Sequence, residues 1–332
     1  MVEELIGIED LKKHFKIIKI EDGFTYLKLY RGQYVIKVEL PFRTNVKLAS
    51  LLGHILGDGC IKTGEENVYY TNKSKDLIEE FKTIIRELFG ISPRENFNEK
   101  REFYEVYPPK TIARFLVLCG FPKGEKTKQV LTIPDWIKNG SNEIKSSFIR
   151  ALFDDEGTVL NNVKNHSIGF GMNKKNSLLE AHKNFMEDIR EILFSIGIQP
   201  NPIFVRKQPF DSMSLGFNIF GRYNLIKFLQ NVGFSDQIKQ QKLIRTIQDF
   251  KTHGRNETRV RILETLKEHV PLSIRELSSI VNPNNDVVWK NLHRLVKEDV
   301  VRKIIIHKRG PIEKVLWELK NNINPNNKFN SR

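Results

Sequence analysis

Cysteine is nearly missing from this chain: 332 residues contain only Cys60 and Cys119. Two thiols so far apart make neither a disulfide framework nor a paired-cysteine zinc site, which leaves a reducing cytoplasm as the expected compartment. Long apolar runs are missing too. None approaches the roughly 18–20 residues that a membrane span requires, and no leader pattern opens the chain, so no membrane association is expected. Acidic residues fall short of basic ones, with 40 Asp and Glu against 54 Lys and Arg, a net charge of +14 and a pI near 9.6. That imbalance points to a polyanionic partner, nucleic acid ahead of an anionic membrane surface. The length calls for two or three domains with buried interiors.

What is present is a duplication. Two stretches, "LLGHILGDG" (51–59) and "IRALFDDEG" (149–157), each run apolar for two turns and stop on an acid followed by glycine. Setting Asp58 against Glu156 also sets Gly53 against Ala151, Ala49 against Ser147 and Gly59 against Gly157. A strand pair follows each acid, with Asn72-Lys73 and Asn173-Lys174 near its end, and then an amphipathic helix. Further on, "RFLVLCGFPKGEK" matches "KFLQNVGFSDQIK", which pairs Gly120 with Gly233 and Lys126 with Lys239. The segment "LTIPDWIKNGSNE" reads as the linker between the halves because Pro, Gly and Ser punctuate it. Residues 1–45 read as a short helix, "IEDLKKHFKII", and a hairpin turning at Gly32.

Ala49, Gly53 and Gly57 recur every four positions and form one stripe on a helix, and Ser147 and Ala151 sit in register on its counterpart. Faces without side chains let two backbones approach, so the two helices are expected to pack side by side and bring Asp58 and Glu156 together at one end. Gly59 and Gly157 suit the left-handed residue that commonly closes a helix. Two carboxylates at helix C-termini stand against an already negative dipole, so a positive group should compensate them. A hard divalent cation such as Mg²⁺, held by one or two carboxylates and by phosphate oxygens, meets that need and activates water against a phosphodiester.

With the motif built twice, with "IPDWI" before the second copy and with glycine-to-lysine segments ending at Lys126 and Lys239, residues 45–250 resemble a single-chain LAGLIDADG homing endonuclease. The resemblance implies an α+β fold of tandem αββαββα repeats with two antiparallel sheets forming a saddle over DNA. It implies Asp58 and Glu156 as catalytic metal ligands for Mg²⁺, Lys126 and Lys239 as catalytic basic residues near the scissile phosphates, and Lys73 and Lys174 among the DNA contacts. Leu56 stands where the name-giving pattern has an aspartate, while the second copy keeps Asp154 there. Inteins also carry this domain, but Met1 is no splicing nucleophile and "KFNSR" is no splicing terminus, so a freestanding or intron-encoded protein is expected.

The last part changes character. "RVRILETLKEH", "SIRELSSIV" with a Ser273 and Glu276 capping box, and "DVVWKNLHRLVKEDV" read as three helices, followed by two strands around "KRGP". This order resembles a winged helix-turn-helix, with Val288, Leu292 and Leu295 inward, Lys290, His293, Arg294 and Lys297 outward as expected DNA contacts, and Lys308 and Arg309 as a basic, DNA-binding wing tip; a protein-interaction or dimerisation module is the alternative. Trp289 and Trp317 are assigned to its core. Residues 255–332 hold sixteen basic and nine acidic residues, half the net charge of the chain. The domains expected are therefore 1–45, 46–138, 139–250 and 255–320, with a disordered tail over 321–332. The function expected is a metal-dependent, double-strand DNA endonuclease acting on a long asymmetric site, a monomer associated with the nucleoid. A non-cleaving transcription regulator and an RNA-binding maturase with intron RNA as partner are the alternatives, and retention of both acids favours cleavage.

Overall fold

The protein is described as a computed structural model over residues 4–64, 67–162, 165–249, 255–269, 271–281, 285–307 and 313–320. These residues form two compact units, one reaching to Asp249 apart from residues 221–223, the other running from Arg255 onward together with 221–223.

Two helices make the centre of the larger unit. The first, Val46–Leu56, starts where the Asn45 side chain accepts a hydrogen bond from Leu48 N at 2.9 Å. The second, Asn142–Glu156, starts on Ser141, whose hydroxyl accepts from Ile144 N at 3.4 Å. Every residue of the first helix from Leu48 to Leu56 is buried, as befits an element covered on all sides. The helices touch along the small-residue stripes. A Cβ added to Gly53 would lie 2.6 Å from Phe148 O and 2.7 Å from Ala151 Cβ. Ala49 and Ala151 are fully buried, and Ser147 Oγ donates to Val46 O at 2.9 Å.

Each helix runs into a four-stranded antiparallel sheet of the same topology. In the first the spatial order is Gly59–Ile61, Val68–Asn72, Phe103–Tyr107, Arg94–Asn98; in the second it is Gly157–Asn162, Asn165–Lys175, Ser212–Phe220, Phe204–Gln208. Gly59 pairs with Tyr70 and Gly157 with Phe170, so Tyr70 and Phe170 hold equivalent places. Both face the core, where Tyr70 stacks on Phe81 and Phe170 on Phe153, with ring centroids 4.5 and 4.6 Å apart. The amphipathic helices Lys75–Phe89 and Leu179–Ser195 follow their strand pairs as the periodicity indicates.

Three expectations need correction in this unit. Gly59 and Gly157 do not close helices in the left-handed region: Gly59 is already strand, and Gly157 has φ −83° and ψ 149°. Both are needed for close approach instead, since a Cβ would lie 2.9 Å from His54 O at Gly59 and 2.5 Å from Phe153 O at Gly157. Gly120 and Gly233 are left-handed, with φ of +83° and +65°, one in each half before the matched lysines. The segment 131–143 is no open linker: Leu131, Ile133, Trp136 and Ile137 are buried around a short helix, Asp135–Lys138. Near the N-terminus the helix stops at Lys12, and Lys16–Glu21 is a strand that turns through Asp22 and Gly23, both at positive φ, into Phe24–Lys28. A two-residue turn of this kind outweighs the weak helical period of "FKII".

The second unit contains helices Arg255–Glu268, Ile274–Val281 and Asn285–Lys297 and the antiparallel strands Val301–His307 and Glu313–Leu319. Its core gathers Ile262, Leu266, Leu277, Val288, Leu292, Leu295 and Trp317. The Ser273–Glu276 capping box forms, with Ser273 N donating to Glu276 Oε2 at 2.7 Å and Glu276 N to Ser273 Oγ at 3.3 Å. Trp289 is not core: it is 48 % exposed and lies on His293 with ring centroids 3.9 Å apart. Its position, one residue after buried Val288, turns it to the outer face. Lys308, Arg309 and residues 321–332 lie outside the described residues.

The central contact gives a direct test. Gly53→Ala should lower unfolding stability in urea by about 1–3 kcal/mol, the usual cost of overpacking, because the new methyl meets backbone that cannot rotate away. Gly64→Ala, with open space around its Cβ, should change stability little.

Candidate active site at the ends of the central helices

At the end of each central helix the chain turns outward and leaves carbonyls without intrahelical partners. Lys126 and Lys239 fill these ends. Lys126 Nζ donates to Leu56 O at 3.1 Å, and Lys239 Nζ donates to Gly157 O at 2.8 Å and, more closely still, to Asp154 O. Leu56 and Asp154 are the positions that the duplication equates, so matched lysines reach matched carbonyls. The positive charge called for at the two negative helix ends is thus supplied in part by the protein itself.

Asp58 and Glu156 are gathered beside those lysines. Burial pushes the Asp58 carboxyl up to about 7, and the negative charges of Asp155 and Glu156 push in the same direction, against Lys126 and Lys239. Glu156 is likewise raised by burial and by the charge of Asp155, while Lys126, Lys239 and Lys174 pull it down. Lys126 is lowered by burial and held up by Glu156, Asp58 and Asp155. The acids therefore sense each other and share their cations. An open cleft leads in beside Asp58, lined by Thr71, Asn72, Lys73 and Phe103.

Between the helices lies a group that the motif alone does not single out. Asp155 is the counterpart of Gly57, and a Cβ on Gly57 would fall 2.4 Å from the Asp155 side chain. Both Asp155 and its partner His54 have fully buried side chains, with Nδ1 to Oδ2 at 3.2 Å. Burial alone would lower the imidazole, but the charge and hydrogen bond of Asp155 prevail and raise it to about 9. Asp155 Oδ2 also accepts from Asp58 N at 3.1 Å, and Oδ1 accepts from Tyr70 Oη at 2.7 Å. Asn72 completes the set, donating from Nδ2 to Asp58 Oδ2 at 2.9 Å and to Asp155 Oδ1 at 3.4 Å. A histidine inside a mostly apolar helix and a run of three acids where the first half has one were the available signals.

The second half is built differently. The sheet register makes Met172, not Asn173, the counterpart of Asn72, so the Asn-Lys match in the sequence is one residue out of step and inverts the faces. Asn173 is exposed, while Lys174 is buried and donates to Gln129 O at 3.3 Å and, in a shorter contact, to Lys126 O. Lys174 therefore offers no open contact for DNA; burial and Lys126 lower its ammonium to about 8. Lys73 is exposed. Asp154, where the first half has Leu56, accepts from Ser235 N at 3.0 Å and Asp236 N at 3.1 Å. It holds the start of the helix Gln237–Gln248, which carries Lys239. In the second unit Lys290, Arg294 and Lys297 are exposed and His293 is half-buried.

Residues 45–120 match the LAGLIDADG-like domain family. Similar proteins include the DNA-directed RNA polymerase subunit Rpo1N of Methanocaldococcus jannaschii, 26 % identical over 72 % of this chain and 20 % of the other. The tRNA-splicing ligase RtcB of Methanopyrus kandleri is 24 % identical over 56 % of this chain and 20 % of the other. The chain thus spans about a fifth of the length of these relatives. Among solved structures, the homing endonuclease I-DmoI in complex with DNA and Mn aligns at 20 % identity and a TM-score of 0.37, over 57 % of this chain and 97 % of that one. Full-length DUF199/WhiA from Thermatoga maritima aligns at 15 % identity and a TM-score of 0.42, over 76 % and 90 %.

Asp58 makes stability depend on pH in a defined direction. A carboxyl raised in the folded state stabilises the fold when protonated, fully so below its ordinary value near 4, and that contribution is lost as pH rises through about 7. In metal-free buffer the thermal midpoint of Asp58→Asn should therefore decline less between pH 5 and 8 than that of the wild type. Equal declines would mean that Asp58 titrates as an ordinary surface acid.

Proposed function

We propose that this protein is a metal-dependent, site-specific endonuclease that cuts both strands of DNA at a long asymmetric site. The observation that carries the reading is the paired end of the central helices: two acids raised by burial and by the charge of neighbouring carboxylates, each beside a lysine anchored to an equivalent carbonyl. The relatives support it in one respect. They bear unlike names and share only a minor part of their length with this chain, which suits a module with chemistry of its own.

The donor set suits a hard divalent cation. Asp58 and Glu156 offer carboxylate oxygens in a partly desolvated place where their repulsion is relieved by positive charge. No group of three or more His, Cys, Asp or Glu side chains that could hold a metal occurs among the described residues, so phosphate oxygens and water would complete the coordination. Bound there, Mg²⁺ would polarise the scissile phosphate and lower the pKa of an attacking water. The chain's own residues do the rest. Asp58 and Glu156 fix the site at the seam of the two sheets. Lys126 and Lys239 place fixed positive charge where negative charge grows as water attacks phosphorus and the bond to the leaving oxygen breaks. Exposed Lys73, Arg94, Lys175, Arg206 and Lys207 would neutralise backbone phosphates, and exposed strand residues would read base edges in the major groove.

The second unit we assign as a winged helix-turn-helix that adds affinity through Lys290, Arg294 and Lys297 on the outer face of its third helix. A non-cleaving DNA-binding protein is the second reading, favoured by the shortage of protein ligands for a metal.

Cleavage separates the two. Asp58→Asn and Glu156→Gln should each abolish double-strand cleavage in Mg²⁺ and leave binding in Ca²⁺ within a few-fold, because affinity rests on many Lys and Arg contacts. Lys126→Met and Lys239→Met should each slow cleavage by about 10²-fold, the loss expected for one preorganised electrostatic donor. A wild-type protein that binds a target and never cuts it would favour the second reading. Replacing Lys290, Arg294 and Lys297 together by alanine should make the slope of log K against log salt shallower by about 0.9 for each phosphate no longer neutralised. An unchanged slope would remove this helix from the DNA interface.

A further inference from the structure

The duplication makes the two acids look interchangeable, but the polar groups around them differ. Asp58 has its backbone N–H on Asp155 Oδ2 at 3.1 Å and its carboxylate on Asn72 Nδ2 at 2.9 Å, and Asn72 reaches back to Asp155 Oδ1 at 3.4 Å. Asp155 is itself locked by His54 and Tyr70, at 3.2 and 2.7 Å. Glu156 has no counterpart of this frame. The residue opposite Asp155 is Gly57, and the residue opposite Asn72 is buried Met172. Glu156 feels the charges of Lys126, Asp155, Lys239 and Lys174, so Asp155 acts on it as a neighbouring negative charge and holds none of its atoms in the way that it holds the Asp58 N–H.

We infer that Asp155 is a positioning residue for Asp58 alone, and that the two half-sites are in consequence unequal, one phosphodiester cut depending on the Asp155–Asn72 frame and the other not. The second-half helix thus supplies the support for the first-half acid. Asp58 sits in the turn just beyond its helix, where its N–H lacks a helical acceptor; a rigid, desolvated carboxylate holds that turn, and the amide of Asn72 aims the side chain. Glu156 is the last residue of its own helix and is held by the helix itself.

The consequence for strand order rests on the endonuclease reading, whereas the positioning does not, so two measurements are needed. In the first, amide exchange is followed by NMR without DNA or metal. Asp155→Ala should reduce protection of the Asp58 amide about tenfold, the scale of one missing hydrogen bond, while the Glu156 amide is unchanged; Asp155→Asn, which keeps an acceptor, should restore part of it. In the second, strand-resolved nicking of a supercoiled target plasmid is timed. Asp155→Ala and Asn72→Ala should both slow the same strand about tenfold more than the other, and a general loss of stability would slow both alike. Should Asp155→Ala fail to fold, the near-isosteric Asp155→Asn carries both measurements. Unchanged Asp58 protection, equal slowing of the strands, or opposite strand preferences of the two variants would each overturn the inference. If the wild type cuts no DNA, the endonuclease reading fails, and amide exchange alone still decides whether Asp155 positions Asp58.

Discussion

Everything in the larger unit depends on two helix backbones coming closer than side chains normally allow. Gly53 meets Phe148 O and Ala151 Cβ at distances that no Cβ tolerates, and Gly57 leaves room that the Asp155 side chain takes up. From that contact the rest follows. The helices end together, the chains leave them as the first strands of two equivalent sheets, and the acids at the exits share one neighbourhood. A single methyl in the seam would press apart not only two helices but the two halves of the candidate site.

The same closeness raises an electrostatic difficulty. Three carboxylates, Asp58, Asp155 and Glu156, converge where two helix dipoles already point their negative ends, and little water reaches them. Two kinds of relief are built in. The helix-end carbonyls are satisfied by Lys126 and Lys239, and Asp155 is neutralised inside the seam by His54. Asp58 and Glu156 keep part of the strain, visible as their raised pKa values, and a group that binds there is favoured in proportion to the positive charge it brings.

Much of this was legible in the sequence, because duplication turns weak patterns into paired ones. The small-residue stripe, the two acids and the two lysines stand at fixed offsets, and all of them meet in space. What escaped was whatever depended on a single residue of register or on contacts between the halves. The Asn-Lys match fails because a strand exposes alternate residues, so that a shift of one carries Asn173 to the surface and Lys174 into the interior. Helix ends are set by the nearest backbone as much as by residue type, which is why Gly59 and Gly157 serve packing and the left-handed glycines stand elsewhere. Size alone would put Trp289 in the core, although its neighbour Val288 already occupies the inward position.

Asp155 shows why the two halves could not remain identical. An aspartate at both Gly57 and Asp155 would set two carboxylates at one point of a dry interface, where neither could ionise without the other's repulsion. A glycine at both would leave His54 and Tyr70 buried without the acceptor they now share, and the Asp58 N–H without its partner. Only one half can fill that space, and the residue that fills it, Asp155, accepts from the Asp58 N–H. Asymmetry at the centre is therefore a consequence of packing two helices this closely around a polar group.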